Sequence, residues 1–429
     1  MRVLFVAPYA PSRLRIRSYG FALHLARRHD VHVLALSVGR LNAGALRDIS
    51  ELRRRGVPVT IIQEGRYRPY LRALKCALIP RTRSAATPLQ VAYTASARLR
   101  AAIASELRAR WYDVVHVEHV RGLGSLPDEI ATPVVWDAVD CVSLLYEESL
   151  RHAATPMLRT VGRLEARRLR AFERQRVGQF TQVLVTSERD RQALLHLASL
   201  RGEAPIEITV LPHGIDPRQS HRDEGARQPE TLIFSGRMDY HANVAGALTL
   251  ARDIMPLVWR RRPQARLILA GSDPPHAVRQ LAHDARVQVT GYVPDLNALV
   301  GAATVAVCPL PYAVGIQNKV LEAMAMGTPV VASSAAAGGL RATPGRDLLV
   351  GDGARACADA VLRLLDDSAT WRSVAEHGAV YVAEYHDWET ITEQLTQVYE
   401  RAIGGQSRRQ RAPAELAGAA APAQAVAAR

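Results

Sequence analysis

Gly315-Ile316-Gln317-Asn318-Lys319-Val320-Leu321-Glu322-Ala323-Met324-Ala325-Met326-Gly327-Thr328-Pro329-Val330-Val331 reads as a loop, a helix, a glycine stop and a buried strand. Gly315 permits close backbone approach. A helix beginning near Asn318 points unpaired N–H groups and a positive dipole end at whatever precedes it. Lys319 in the first turn opposes that dipole unless an anion compensates it, and it is one of two lysines against 53 arginines. Gly315, Ile316, Gln317, Asn318 and Lys319 therefore form a candidate anion site. Glu322, one turn on, carries a carboxylate able to accept two ribose hydroxyls. The plain structural alternative is a glutamate that only complements the dipole.

Around this stretch, short apolar runs at 231–235, 266–270, 287–290, 305–308 and 330–332 alternate with segments of helical period at 244–259, 277–283 and 320–326. The first half repeats the pattern, with runs at 3–7, 31–36, 57–62, 114–117, 134–136 and 183–185 and a long arginine-rich helix at 158–177. Near-continuous apolar strands between helices predict parallel sheets covered on both faces, so the fold class is α/β with two doubly wound, Rossmann-like domains. The expected boundaries are a first domain at 1–217, a linker at 218–229, a second domain at 230–385, a C-terminal helix at 386–404 returning to the first domain, and a disordered tail at 405–429. Ligands of such sheets sit beyond the carboxyl ends of the strands. There, after the first strand of the second half, stand Gly236, Arg237 and Asn243, where an arginine fork can hold phosphate oxygens. No strand is followed by G-x-G-x-x-G or by a Walker A sequence, which argues against dinucleotide dehydrogenases and P-loop enzymes.

The 429 residues are 48% hydrophobic and 22% charged, which excludes disordered, collagen-like and disulfide-framework classes. Cys76, Cys141, Cys308 and Cys357 are scattered, so neither a zinc site nor a staple is expected. The chain opens on a strand-like run rather than a signal peptide, and no run reaches the ~18 apolar residues of a membrane span. The expected setting is cytoplasmic. Of the net charge of +14, residues 1–200 carry all the excess, with 32 Lys+Arg against 17 Asp+Glu. An anionic partner of the first half, or simply a solvated arginine-rich surface, accounts for this.

Gly236-Arg237, the turn Gly291-Tyr292-Val293-Pro294-Asp295 and the run from Lys319 to Val331 together resemble the nucleotide-sugar domain of glycosyltransferase family 4. The first half fits more loosely, through Pro8-Tyr9-Ala10-Pro11, Asp113-Val114-Val115-His116-Val117-Glu118 and Pro212-His213-Gly214-Ile215-Asp216. The resemblance covers about residues 1–400, and it is nearest to sugar transferases of exosortase and exopolysaccharide gene clusters. It implies the GT-B fold, a nucleotide-diphosphate-sugar donor in the second domain and transfer with retention. Fixed cations and a helix dipole at the diphosphate, with no metal-spaced aspartate pair nearby, set the expectation of no cofactor and no required metal. Four departures stand out. Many members carry two glutamates with seven residues between them, but the earlier position here is Val314. A lysine six residues after the arginine is replaced by Asn243. The usual first-loop glycine pair is replaced by Ser12-Arg13-Leu14-Arg15-Ile16-Arg17-Ser18.

The histidine expected after the middle strand is likewise replaced, within Trp136-Asp137-Ala138-Val139-Asp140. Asp137 and Asp140 thus become catalytic candidates beside Arg237 and Lys319, with helix capping as the alternative for Asp140. Arg13, Arg15 and Arg17 are expected on the acceptor side. His116, Glu118 and His119 lack a second cluster for metal binding and read as strand-end residues. Basic residues interleave an apolar, helix-length segment at 66–83, the composition of a surface that lies on anionic lipid, with a plain loop helix as the alternative.

The function expected is glycosyl transfer to a glycan or lipid-linked acceptor in polysaccharide or glycoconjugate synthesis, with peripheral contact on the inner face of the cytoplasmic membrane. A nucleotide-sugar epimerase of the same fold and a silent membrane-surface or nucleic-acid binder are the rivals. Nucleic acid is disfavoured by the lack of any helix-turn-helix, zinc-finger or aromatic RNA-binding signature.

Overall fold

Each half of the chain builds one parallel sheet from its buried apolar runs. The computed structural model describes residues 1–77, 87–151, 156–200, 206–215 and 227–418. In the first half lie β1 (Arg2–Ala7), β2 (Asp30–Val38), β3 (Val59–Glu64), β4 (Val114–Glu118), β5 (Val134–Val139), β6 (Gln182–Val185) and β7 (Ile208–Val210). They pair in the order β3-β2-β1-β4-β5-β6-β7. The second half contributes β8 (Thr231–Ser235), β9 (Arg266–Ala270), β10 (Val287–Gly291), β11 (Val305–Cys308), β12 (Val330–Ala332) and β13 (Leu349–Val350), in the order β10-β9-β8-β11-β12-β13.

Helices cover both faces of these sheets, so Val3 through Ala7 are all fully buried and the strand reads as a run rather than an alternation. Strand order turns back between β1 and β4 in one sheet and between β8 and β11 in the other. Chain connections leave those two points in opposite directions, which opens a crevice at each. These are two Rossmann-like domains, and a cleft of about 2360 Å³ lies between them.

The last helix ties the chain ends to the first domain. It spans Trp388–Gly418, and Ile391, Leu395, Val398, Tyr399 and Ala402, one apolar stripe, pack into the first-domain core with Phe5 and Phe21. Its start fixes the crossing between domains. The Trp388 ring fills the space that a Cβ on Gly20 or Gly214 would need, and Ile215 N–H donates to the carbonyl of His386 at 2.7 Å.

Two expectations change, and two fall partly outside the described residues. The helix continues to Gly418 through the stretch expected to be disordered from 405, and residues 419–429 lie outside the described ones. The expected linker falls largely on 216–226, also outside them. The expected helix at 244–259 is His241–Thr249, a wider π turn at Leu250–Ile254, and Met255–Trp259. Pro256 has no N–H for the carbonyl one turn back, and the helix widens ahead of it. In the basic segment, Arg68–Ala77 is helical and 78–83 is outside the described residues. Among the described residues no helix is long and apolar enough to cross a membrane.

Candidate functional site

β8 delivers Gly236 to the crevice at the second sheet's switch point. Its φ of +144° is one that side chains rarely adopt, and a Cβ would stand 2.9 Å from Asn243 Nδ2 and 3.0 Å from Lys319 Nζ. Glycine therefore lets both side chains close onto the backbone. Asn243 Nδ2 donates to the carbonyl of Arg237 at 2.8 Å, while its Oδ1 accepts from Lys319 Nζ at 2.5 Å. The ammonium also lies 4.9 Å from the centre of the Phe234 ring. Burial lowers the pKa of Lys319 and the charge of Glu322 opposes that shift. Only one of its three N–H groups meets a hydrogen-bond acceptor among the described residues.

The helix carrying Lys319 spans Asn318–Ala325, and no side chain caps its start. Its first N–H groups are thus open to a ligand. Asn318 Oδ1 is buried without a partner among the described residues, and Gln317 Nε2 donates to the carbonyl of Val314 at 3.2 Å. Glu322 lines the cleft with Ile316, Gln317, Asn318 and Lys319. Burial raises its pKa against the nearby Lys319 charge. Arg237 is exposed at the mouth of the same cleft, with Nε on Asp239 Oδ1 at 2.7 Å. The structure thus brings Gly236, Arg237, Asn243, Ile316, Gln317, Asn318, Lys319 and Glu322 to one crevice. Gly315 stands behind that lining, at the junction with the first domain.

The first-domain candidates divide. Asp137 is fully buried, not a cleft residue. Arg17 grips it with Nε at 2.5 Å and Nη2 at 2.9 Å, and the Arg17 Nη1 group donates to the carbonyls of Leu211 and Pro212. His116 Nε2 stands 3.3 Å from the same carboxylate. Burial raises the Asp137 pKa, but Arg17 and His116 outweigh it and hold the group ionised far below the usual range. Asp137 and Arg17 are therefore a structural ion pair rather than a catalytic acid and an acceptor-side cation.

Arg13 and Arg15 do face the cleft. Arg13 bonds Glu51 at 2.8 Å, and Arg15 lies over the Tyr9 ring at 4.2 Å. Asp140 sits at the junction between domains. Its carboxylate accepts from the Thr186 hydroxyl at 3.1 Å and lies against Gly315, where a Cβ would collide with it. Burial, then the charge of Asp190, pushes its pKa up to about 7. Burial, then Asp137, does the same for Glu118, also to about 7. His119 has a φ of +61°, and burial with the charges of Arg121 and Arg15 lowers its pKa to about 3.

Two residues that meet the loop ahead of Asn318 carried no local signal. Asp190 follows Ser187 at the spacing of a capping box and reads as an ordinary helix start. Arg189 is one arginine among 53. Both reach across the domain junction to residues 313–315.

Residues 229–367 match the family described as Glycosyl transferases group 1. The glycogen synthase of Mycobacterium tuberculosis is 30% identical over 233 residues, which is 50% of this chain and 53% of that protein. The MMP alpha-(1->4)-mannosyltransferase of Mycolicibacterium hassiacum is 28% identical over 220 residues, 47% of this chain and 50% of that one. The chain thus spans about half the length of the curated relatives it matches. Among solved structures, sucrose-phosphate synthase from Thermosynechococcus elongatus superposes with a TM-score of 0.67 at 20% identity, covering 94% of this chain and 100% of that one. Anabaena HepE in complex with UDP gives 0.63 at 15% identity, covering 93% and 100%. The chain therefore has the GT-B fold, and its second domain carries the match to group 1 glycosyl transferases.

Proposed function

We propose that the protein is a glycosyltransferase that moves a sugar from a nucleotide-diphosphate donor to a hydroxyl of a glycan or lipid-linked acceptor, with retention, in polysaccharide or glycoconjugate synthesis. The observation that carries this reading is the ammonium of Lys319, with one of its three N–H groups bonded among the described residues, at an uncapped helix start, held by Asn243 beside Gly236. A diphosphate fits there, against Lys319, Arg237 and the N–H groups at Asn318, and Glu322 accepts ribose hydroxyls. These positive groups stabilise the charge that develops as the bond from the anomeric carbon to the diphosphate breaks and the bond to the acceptor oxygen forms. Asp140, half-protonated near neutrality, is the candidate to take the acceptor proton. The acceptor enters along Arg13 and Arg15.

The fixed cations make a metal ion unnecessary in this reading, so transfer continues in excess chelator. Loss of turnover in EDTA that magnesium or manganese restores would overturn that part. Solved HepE structures hold UDP and UDP-glucose, so UDP-glucose is the first donor to test. Titration calorimetry with UDP-glucose and GDP-mannose tests the donor site. An epimer formed from donor alone would mark an epimerase instead, and no binding of any nucleotide sugar would sink the reading. We further place the protein on the inner face of the cytoplasmic membrane, through the helix Arg68–Ala77. Tyr70, Leu71 and Leu74 are each more than half exposed there, among Arg66, Arg68 and Lys75.

A further inference from the structure

Two consecutive first-domain residues hold the second domain by its backbone. Arg189 Nη1 donates to the carbonyl of Ala313 at 3.1 Å, and its Nη2 group is braced by Glu148 Oε1 at 2.7 Å. Asp190 Oδ2 accepts the N–H of Gly315 at 3.1 Å. The two contacts bracket Val314, one taking its grip on the carbonyl before it and the other on the amide after it.

A helix cap does not explain Asp190. It is fully buried. Ser187, the cap of helix Glu188–Ser199, already accepts the N–H of Asp190 at 3.2 Å and donates its hydroxyl to Asp190 Oδ2. Asp190 Oδ1 turns instead to the N–H of Cys141 at 2.8 Å, just past the end of β5. Oδ2 turns to Gly315 in the other domain. A carboxylate buried this deeply needs such donors, and one of them belongs to the other domain. Gly315 has a φ of +60° and packs against Asp140, so no other residue fits between the clamp and that carboxylate. Three residues further on, the helix with Asn318 and Lys319 begins.

We infer that Arg189 and Asp190 are positioning residues that hold the loop 313–317 by its main chain, so that the start of the donor helix takes its place only when the first domain is closed against it. The inference rests on the donor reading of that helix. Neither side chain touches the donor in this scheme; both act through the loop.

Hydrogen–deuterium exchange tests it on the full chain, with UDP-glucose calorimetry alongside. Arg189 is 44% exposed, so Arg189→Ala should leave the fold intact, while Arg189→Lys retains a cationic donor on a side chain of similar length. Asp190→Asn keeps one acceptor oxygen where two are used, and serves as the second variant. Losing a charge-assisted hydrogen bond predicts about tenfold faster exchange across 313–317 and about tenfold weaker UDP-glucose binding in Arg189→Ala and Asp190→Asn, with partial recovery in Arg189→Lys. Exchange over β1 to β7 should stay unchanged. Wild-type exchange across 313–317 in both variants would overturn the clamp, as would faster exchange confined to the first domain, which would mark Asp190 as a local cap. If the wild type binds no nucleotide sugar while loop exchange still responds, the donor reading fails and the clamp stands.

Discussion

Lys319 Nζ lies 2.5 Å from Asn243 Oδ1, and that pair organises the candidate donor site. The asparagine amide is oriented by the carbonyl of Arg237, so its oxygen faces the ammonium. Phe234 shields the ammonium from below. One lysine, brought in on the helix after β11, supplies the cation beside Gly236, where the resembling family often uses a lysine in the place of Asn243.

Lys319→Ala and Glu322→Ala should each weaken nucleotide-sugar binding by ~1.5–3 kcal/mol, the worth of a hydrogen bond to a charged group. Both side chains line the cleft, so the melting temperature should change little. Calorimetry at wild-type affinity for both variants would show that the site lies elsewhere.

Asp137→Asn or Arg17→Met should destabilise the first domain by about 3–5 kcal/mol, because each leaves a buried charge without its partner. Changing both together should cost less than the sum, since the two side chains act as one unit. Urea denaturation measures it. The Asp137 pKa is depressed in the folded state, so its stabilisation is fully present above the ordinary carboxylate range and is lost as pH falls from that range down through the lower folded value.

Asp140 has the opposite sign. Its folded pKa stands at about 7, well above that of an unfolded aspartate, so the folded chain holds a proton there that the unfolded chain releases. Its contribution to stability therefore falls as pH rises from the ordinary aspartate range to about 7. Asp140→Asn should look more favourable relative to wild type at pH 8 than at pH 5. A gap independent of pH would show that Asp140 titrates normally.

The helix Arg68–Ala77 should carry the protein onto anionic vesicles at low salt and release it at high salt, because screening cuts the reach of exposed charge to ~8 Å at physiological strength. Liposome flotation separates the cases. Equal binding to neutral lipid, or none to anionic lipid, would leave the arginine excess as a solvated surface.

The two α/β layers were legible because buried parallel strands leave an unmistakable apolar run, as at Val3 to Ala7, and because covering helices keep their own period. The helix start at Asn318 was legible for a related reason. A lysine in a first turn conflicts with the helix dipole, and a local conflict of that kind shows in sequence alone. The end of the last helix was less so. An Ala-, Gly- and Arg-rich stretch reads as disordered, yet the helix runs on to Gly418 from a segment anchored by Trp388.

Sequence alone therefore determined two Rossmann-like domains and, in the second, a helix that starts at Asn318 with Lys319 in its first turn. Both depend on interactions within a few residues or along one strand. Only the tertiary structure decided the fate of each first-domain carboxylate. Asp137 and Asp140 are three residues apart on one strand end, yet one is locked by Arg17 from 120 residues away and the other rests on Gly315 of the opposite domain. Asp190, a helix-start residue by its local spacing, meets that same loop 125 residues further on. Partners so distant in the chain leave no period or spacing to read. A carboxylate's role depends on which charges and donors surround it once water is excluded, and the packing of two domains sets that environment.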